Sequence, residues 1–423
     1  MGIRELALVA ATSLCVVTAC STTTSGTARF GGSLSDPEPD VSQLRTGNYQ
    51  IKPSTPFFSA GPNPSTQSIV ESTRLAEFVV GPWEVDSSVT TLVPLGTHSA
   101  DAMSVDLVLG LSDAPVMRSI ARAHNLVAGF GSRRTSGQRD PALDVQNTVL
   151  IFPDEGQAAA AAAEFAAQIG PVVAAGAPTF PVDVSGTGNP TPGAAGIDLG
   201  KVGAVAAFTA RGRYVFFQGV FAKPSETLRA TERARFLASS LLSRQESLIK
   251  GFAPTDPAKL ADLPKDPSDD QLLSKTLTTP DQQQGFMIGT WRPRAWLHFE
   301  ADPVTASTQF DRAGIQWVTQ RWGRVYQAPN ADSAAQFLDF MTASMMGDSD
   351  VQMAGPVPGF PGARCFWHMN DYAPPDASVT LRIENWHHSC VARTGKFVFQ
   401  VFADDETDVD QQISAQYRVL SGK

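Results

Sequence analysis

Most of the short motifs that announce chemistry are missing from this chain. No GxxxxGK[ST] phosphate loop occurs, because Gly395-Lys396 and Gly200-Lys201 lack the upstream glycine. The run GFGSRR from Gly129 opens like a dinucleotide fingerprint but has no third glycine. Neither HExxH nor GxSxG is present, and Ser247-Leu-Ile-Lys250 stands without the partner motifs an SxxK enzyme needs. Positive charge is also short. Lysine and arginine number 33 against 42 acidic residues, giving a net charge of -9 and a pI near 5.2. That balance argues against nucleic acid as a partner and against electrostatic docking to anionic lipid. Beyond the first twenty residues no apolar run could span a bilayer. No catalytic residue, metal or cofactor is assigned.

What the chain does have begins at its first residues. Arg4 and the free amine make a small positive region, and Leu6 to Val17 form an uncharged apolar run. The run is too short for a membrane span and fits the hydrophobic segment of a signal peptide. It ends in Val17-Thr18-Ala19-Cys20, which resembles the bacterial lipobox. The resemblance implies that Cys20 becomes the mature N-terminus, carries acyl chains and anchors the protein to the membrane. Cys15 would be discarded with the signal. Two or more chains give stable anchoring where one gives only marginal binding.

The expected organisation is a signal peptide over 1–19, a flexible polar tether over 20–55, a first domain over 56–250, a linker over 251–285 and a second domain over 286–423. Outside the cytoplasm two remaining cysteines tend to pair. Cys365 and Cys390 sit on two strand-like stretches around the loop DYAPPDAS, with Leu381 and Ile383 read into the second strand. A near-opposed pair across antiparallel strands suits a disulfide. Zinc is the sharper alternative, through Cys365-x2-His368 and His387-x2-Cys390. Residues three apart on a strand point to opposite faces, which disfavours it. Trp367, Trp386, His387 and His388 then read as a half-buried strand face and as weak candidates for a binding surface.

The chain also resembles itself. NTVLIFPDEGQAAAAAAEFAAQI and GRVYQAPNADSAAQFLDFMTASM both read strand, cap, helix. A shift of 176 carries Pro153 onto Pro329, Asp154 onto Asn330, and Ala161, Phe165 and Ile169 onto Phe337, Met341 and Met345. A second match carries Phe221-Ala222 onto Phe402-Ala403 with a shift of 181. Each unit is expected as helix, strand, helix, two or three antiparallel strands, then helix. Asp113, Asp154, Ser225, Asp302 and the pair Thr407/Asp410 are expected as helix caps. The fold class is α+β: two related units, each a mostly antiparallel sheet packed with helices, buried on one side and partly covered on the other.

Several polar clusters take bland readings. Asp404 to Asp410 lack the glycine and distal glutamate of a calcium loop, and acidic residues suit a helix N-terminus. Arg133-Arg134 with Arg139 reads as a solvated basic turn. His124 reads as a packed helix residue, His98 and His298 as isolated. Residues 251–285 read as a proline-rich linker over the surface, with one short helix near Leu272 and Leu273. Residues 171–196 read as a long Pro/Gly loop.

LRTGNYQIKP after the tether, RLAEFVVGPWEVD near residue 74 and the paired units resemble an uncharacterised two-domain lipoprotein family of mycobacteria, nocardiae and related actinobacteria. The resemblance covers nearly all of the mature chain and implies a cell-envelope lipoprotein. It brings no activity and no catalytic residue. The functional expectation is a non-enzymatic protein that binds an apolar envelope ligand or an envelope protein. An extracytoplasmic hydrolase, with residues converging only in three dimensions, and a structural or assembly factor are the alternatives.

Overall fold

The computed structural model describes residues 37–173, 179–186, 194–198, 201–278 and 287–423. The segment read as a signal peptide, Cys20, the start of the segment read as a tether, part of the 171–196 loop and the end of the 251–285 segment lie outside them. The described chain forms fifteen strands and ten α-helices, arranged as one theme played twice.

In the first half, α1 (Pro64–Leu75), β1 (Thr91–Leu92), β2 (His98–Ala100), α2 (Val105–Val108) and α3 (Pro115–Ala123) lead into the long hairpin β3 (Ala128–Thr135) and β4 (Leu143–Ile151). Then come α4 (Glu155–Val173), β5 (Thr179–Pro181), β6 (Ala195–Asp198), the hairpin β7 (Gly203–Arg211) and β8 (Tyr214–Ala222), and α5 (Ala230–Leu248). The second half repeats this with β9 (Gly289–Trp291), α6 (Pro293–Trp296), α7 (Pro303–Ala313), β10 (Trp317–Gln320), β11 (Arg324–Gln327) and α8 (Ala331–Met346). It closes with β12 (Val351–Met353), β13 (Arg364–His368), α9 (Val379–Glu384), β14 (His388–Thr394), β15 (Phe397–Ala403) and α10 (Glu406–Ser421).

Both sheets are antiparallel. Their orders, β1-β3-β4-β8-β7-β6-β5 with β2 also on β3, and β9-β10-β11-β15-β14-β13-β12, run in parallel once β10 is matched to β3. The α+β class and the duplication are therefore as the sequence indicates.

The register refines the second shift. Val149 faces Phe216 in the first sheet and Val325 faces Phe399 in the second. The hairpin glycines Gly212 and Gly395, at φ 54° and 52°, are the equivalent turn residues. The spacing between equivalents on β8 and β15 is thus 183. The sequence match at 181 aligned the far ends of strands that differ in length, nine residues against seven.

Helices form where the apolar spacing predicts. Asp154 accepts from the Gln157 N–H at 2.9 Å and caps α4, whose Ala158, Ala161, Ala162, Phe165 and Ile169 are all buried. Asp302 caps α7 through the Val304 and Thr305 N–H groups. Three other caps differ. Ala114 occupies the cap of α3, and Asp113 pairs instead with Arg118 at 2.8 Å. Ser225 closes a turn before α5, whose cap is Arg229 with Glu232 reaching back to its N–H. Asp405, not Thr407, caps α10, through the Asp408 N–H. In each case the local pattern was right to within a turn, and a neighbouring residue took the position.

Both faces of both sheets are covered, more than the sequence indicates. Helices α3 and α4 lie on one face of the first sheet, packed on Phe208, Val215 and Phe217. Its other face carries α5 and joins a core continuous with the second half, through Phe130, Phe216, Trp291, Trp296, Phe299, Tyr326 and Phe402. Helix α10 covers the back of the second sheet over Phe399, Val401 and the disulfide.

The segments read as tether and linker are anchored by a few buried side chains, although much of 37–55 and of 251–265 is exposed. Leu44 and Leu277 are buried in the rear core of the second half with Leu272, and Tyr49 donates to Asp408 at 2.7 Å. The linker runs over the surface to about residue 265 and then dips into the core between Asp266 and Leu277. Its turn at Ser268 to Lys275 is held by Asp266, which accepts from the Ser268 and Leu273 N–H groups.

The largest departure concerns the basic cluster. GFGSRR is the strand β3, and Arg134 is fully buried at the join of the two halves. Its guanidinium donates to the carbonyls of Thr90, Leu297, His298, Glu300 and Ala301 at 2.5, 3.3, 2.8, 2.6 and 3.4 Å. It also lies 5.1 Å over the Trp83 ring. Four of those carbonyls belong to the second half, around the turn Leu297–Phe299. Burial lowers the Arg134 pKa to about 10, against the pull of Glu300, Asp302 and Glu384. Arg294 makes the converse contact, donating to the Glu77 carbonyl and to both carboxylate oxygens of Glu84.

Candidate functional site

The second half holds a cleft of about 1300 Å³ between its sheet and the helix pair α7 and α8. Its floor is Arg324 and Tyr326 from β11 with Gln400 and Phe402 from β15. One wall is apolar, from Phe310, Phe337, Phe340, Met341 and Met345. The rim is polar, from His368, Asn370, Asp371, Tyr372, Glu384 and Trp386. Loops of the first half, at Leu92 to Pro94 and around Arg139, close the far side.

The floor is a hydrogen-bonded set. Tyr326 donates its hydroxyl to Glu300 Oε1 at 2.9 Å, and the Trp296 indole donates to the same oxygen at 2.6 Å. Arg324 donates to Gln320 Oε1 at 2.7 Å, to the Tyr326 hydroxyl at 3.3 Å and to Gln400 Oε1 at 3.4 Å. It lies 4.7 Å over Trp296 and 5.3 Å over Phe402. Burial holds the Tyr326 phenol well above its ordinary range, so the hydroxyl stays protonated and donates.

Glu384, on the last turn of α9, accepts the N–H of Leu95 at 3.0 Å and so ties the rim to the first half. Burial pushes its carboxyl up to about 7, against the Leu95 N–H and the charges of Arg134 and Arg324. A raised carboxyl means the native state keeps a proton that the unfolded chain releases. Its stabilising proton is in place below the ordinary carboxyl range and is lost as pH rises from about 4.5 to about 7. The pH 5 to pH 8 loss of stability should therefore be about 1–2 kcal/mol smaller in Glu384→Gln than in the native chain. Urea midpoints at both pH values check this, and equal losses in the two proteins would refute it.

The first half carries a cavity at the equivalent place, about 230 Å³ in volume. Two lining positions correspond by strand register: Phe217 with Gln400 and Gly219 with Phe402. At the matching helix positions Ala161 and Ala162 on α4 are replaced by the larger Phe337 and Leu338 on α8, all four buried.

Among the residues singled out in sequence, Cys365 and Cys390 are directly opposed across β13 and β14 and form a disulfide. Among the described residues, Asp410 is the one carboxylate grouped with their sulfurs, within 4.8 Å, and joined sulfurs provide no thiolate for a metal. His368 points to the cleft face, away from the cysteines, so the zinc set is not assembled. Trp386 lines the cleft and stacks edge-on against His368 at 4.1 Å. Trp367 and His388 are cross-strand neighbours on the other face, with the disulfide. His387 stacks on Tyr372 at 3.8 Å and its Nδ1 bonds the Asp404 carbonyl at 2.8 Å. The strand-face grouping of these four is thus divided, and Leu381 and Ile383 lie on α9 rather than on a strand.

The acidic run is already engaged. Asp404 pairs with Arg382 at 2.5 Å, Asp405 caps α10 and Asp408 accepts from Tyr49 and Gln412. His124 follows α3, bonds Gln157 at 2.8 Å and lies 3.0 Å from Glu164. His98 and His298 are buried, and burial pushes them down to about 4 and about 3, so both stay neutral. The cleft does set His368 Nδ1 3.4 Å from Asp350 Oδ2. That carboxylate already accepts from Asn370 and the Asp371 N–H. Among the described residues, no hydroxyl is bonded to the His368 ring.

No helix among the described residues is long and apolar enough to cross a membrane. Fold and site together define a two-domain α+β protein of duplicated antiparallel sheets, with a cleft in the second copy. The chain belongs to the DUF7373 family, a domain of unknown function, whose N-terminal part matches residues 58–265 and whose C-terminal part matches 272–423. No curated protein matches the sequence. A solved structure, the extracellular domain of PknH from Mycobacterium tuberculosis, is similar at 13% identity with a TM-score of 0.27, over 42% of this chain and 96% of that one.

Proposed function

We propose that this protein is a cell-envelope lipoprotein of the actinobacterial type, held to the membrane by acyl chains on Cys20. Its cleft would bind an amphiphile with an uncharged, hydroxyl-bearing head. The observation that carries the reading is the cleft of about 1300 Å³, with one apolar wall and one hydrogen-bonding floor. Phe310, Phe337 and Phe340 suit an alkyl chain, and Met341 and Met345 adapt to its shape. The polar side offers donors from Arg324 and Asn370 beside acceptors from Glu300 and Glu384. A hydroxyl, which both donates and accepts, satisfies such a mixture. Asp144, Glu300, Asp302, Asp348, Asp350 and Asp371 outnumber Arg139 and Arg324 in the lining, which disfavours an anionic head. The lipobox and the paired cysteines support an oxidising compartment.

Native mass spectrometry of protein extracted from envelopes tests both parts at once. The chain should begin at Cys20 with its acyl chains and carry a non-covalent neutral amphiphile. Ser344→Trp, on the exposed side of α8 where it lines the cleft, should reduce that adduct by about tenfold. An empty protein, or an adduct unchanged in the variant, counts against the cleft; an unmodified chain starting at Met1 counts against the anchor.

A further inference from the structure

We propose that the smaller cavity of the first half is a second binding site, for a short alkyl chain or similarly small apolar molecule bearing one hydrogen-bond donor. Its walls are apolar, from Leu109, Leu111, Val172, Ile197, Val205 and Phe217. Among the described residues, its one buried polar atom without a partner is the carboxamide oxygen of Gln146, a residue 4% exposed. The amide nitrogen donates to the Val108 carbonyl at 3.0 Å and to the Thr148 hydroxyl at 3.1 Å. A carbonyl accepts only from a donor, so this contact fixes which end of the amide faces away. The remaining atom, Gln146 Oε1, has no partner. A buried acceptor left unpaired is costly, and a ligand hydroxyl would answer it.

The room is suitable. About 230 Å³ is roughly the share of seven or eight waters, and Ser112, Arg133 and Asp144 lie within an otherwise largely apolar lining. The Gln146 side chain is flanked by glycines. A Cβ on Gly110 would come within 3.5 Å of Gln146 Oε1, one on Gly131 within 2.9 Å of its nitrogen, and one on Gly219 within 3.4 Å of its Cβ. Larger residues would crowd the carboxamide.

The cavity is separated from the large cleft by an ion pair. Arg133 grips Asp144 with two hydrogen bonds, at 2.9 and 2.6 Å, and Asp144 lines both spaces. The duplication therefore left two sites of different capacity. The second copy opened to hold an amphiphile. The first closed around something about the size of hexanol. This inference does not require the reading of the cleft to be right.

Two isoleucines make the sites separately observable. Ile197 lines the cavity and Ile383 lines the cleft. Methyl NMR of the folded mature chain, labelled at isoleucine, should show the Ile197 signal shifting saturably with 1-hexanol. With 1-methoxypentane, which has the same number of heavy atoms but no donor, binding should be about tenfold weaker. Gln146→Met should abolish the preference between the two, and Ala204→Phe should abolish the Ile197 response while Ile383 still answers a cleft ligand. An Ile197 signal that stays fixed up to the solubility of hexanol overturns the proposal whatever Ile383 does. Equal affinity for the two probes overturns the role given to Gln146. A silent Ile383 alone would count against the cleft and leave this site standing.

Discussion

Arg134→Ala is expected to lower stability by about 4 kcal/mol, about 5 °C in melting temperature for a body of this size. The substitution does three things at once. It removes five donated hydrogen bonds, leaves the carbonyls of His298 and Glu300 facing a dry gap, and deletes a fully buried side chain between the halves. Hydrogen bonds to a charged group are worth more than neutral ones, and unpaired buried acceptors add to the loss. Arg134→Met separates the contributions, because it fills space without donating and should recover only the packing part. Lysine should fare badly despite its charge, since one ammonium cannot fork across carbonyls on two segments. Denaturant titration of the three variants is the measurement. A loss under 1 kcal/mol for alanine would mean that water or a shifted loop replaces the guanidinium.

Cys365→Ser with Cys390→Ser should cost about 3–4 kcal/mol, from the entropy returned to an unfolded loop spanning a separation of 25 residues. The first half has no cysteine pair in its corresponding hairpin and folds into the same topology. The double variant should therefore still fold, with the same cooperative transition at a lower denaturant midpoint. Dithiothreitol should shift the native chain to that midpoint and leave the variant unmoved. A variant as stable as the native chain would show that α10 and the strand pairing already hold this corner.

Much of the architecture was legible because it rests on local periodicity. The buried stripe from Ala158 to Ile169, the caps Asp154 and Asp302, and the opposed cysteines all follow from spacing along one or two elements. What escaped depends on distant partners. Strand β3 carries Gly129, Gly131, Ser132 and two arginines, a composition with weak strand propensity. Only the carbonyls some 160 residues away explain why Arg134 turns inward. Leu272 and Leu277 sit among prolines and polar residues and so looked superficial, although an apolar LL-x3-L pattern was there to read. The cleft was invisible for a related reason. Its lining gathers from Thr90 to Phe402, and no single stretch contains enough of it to betray a pocket. Trp386 and its neighbours were the nearest signal, and the alternation that should have sorted them was interrupted by α9.

The packing of Leu44 and Tyr49 at one end, and of Leu272 and Leu277 at the other, bears on how such a molecule can be inherited. A copy excised at the repeat boundary would leave its rear core short of side chains that precede it in the chain. The duplicated units have thus lost their status as interchangeable modules. Recombination can pass them on only as a pair, and a fusion made at residue 287 would inherit an uncovered hydrophobic back rather than a domain.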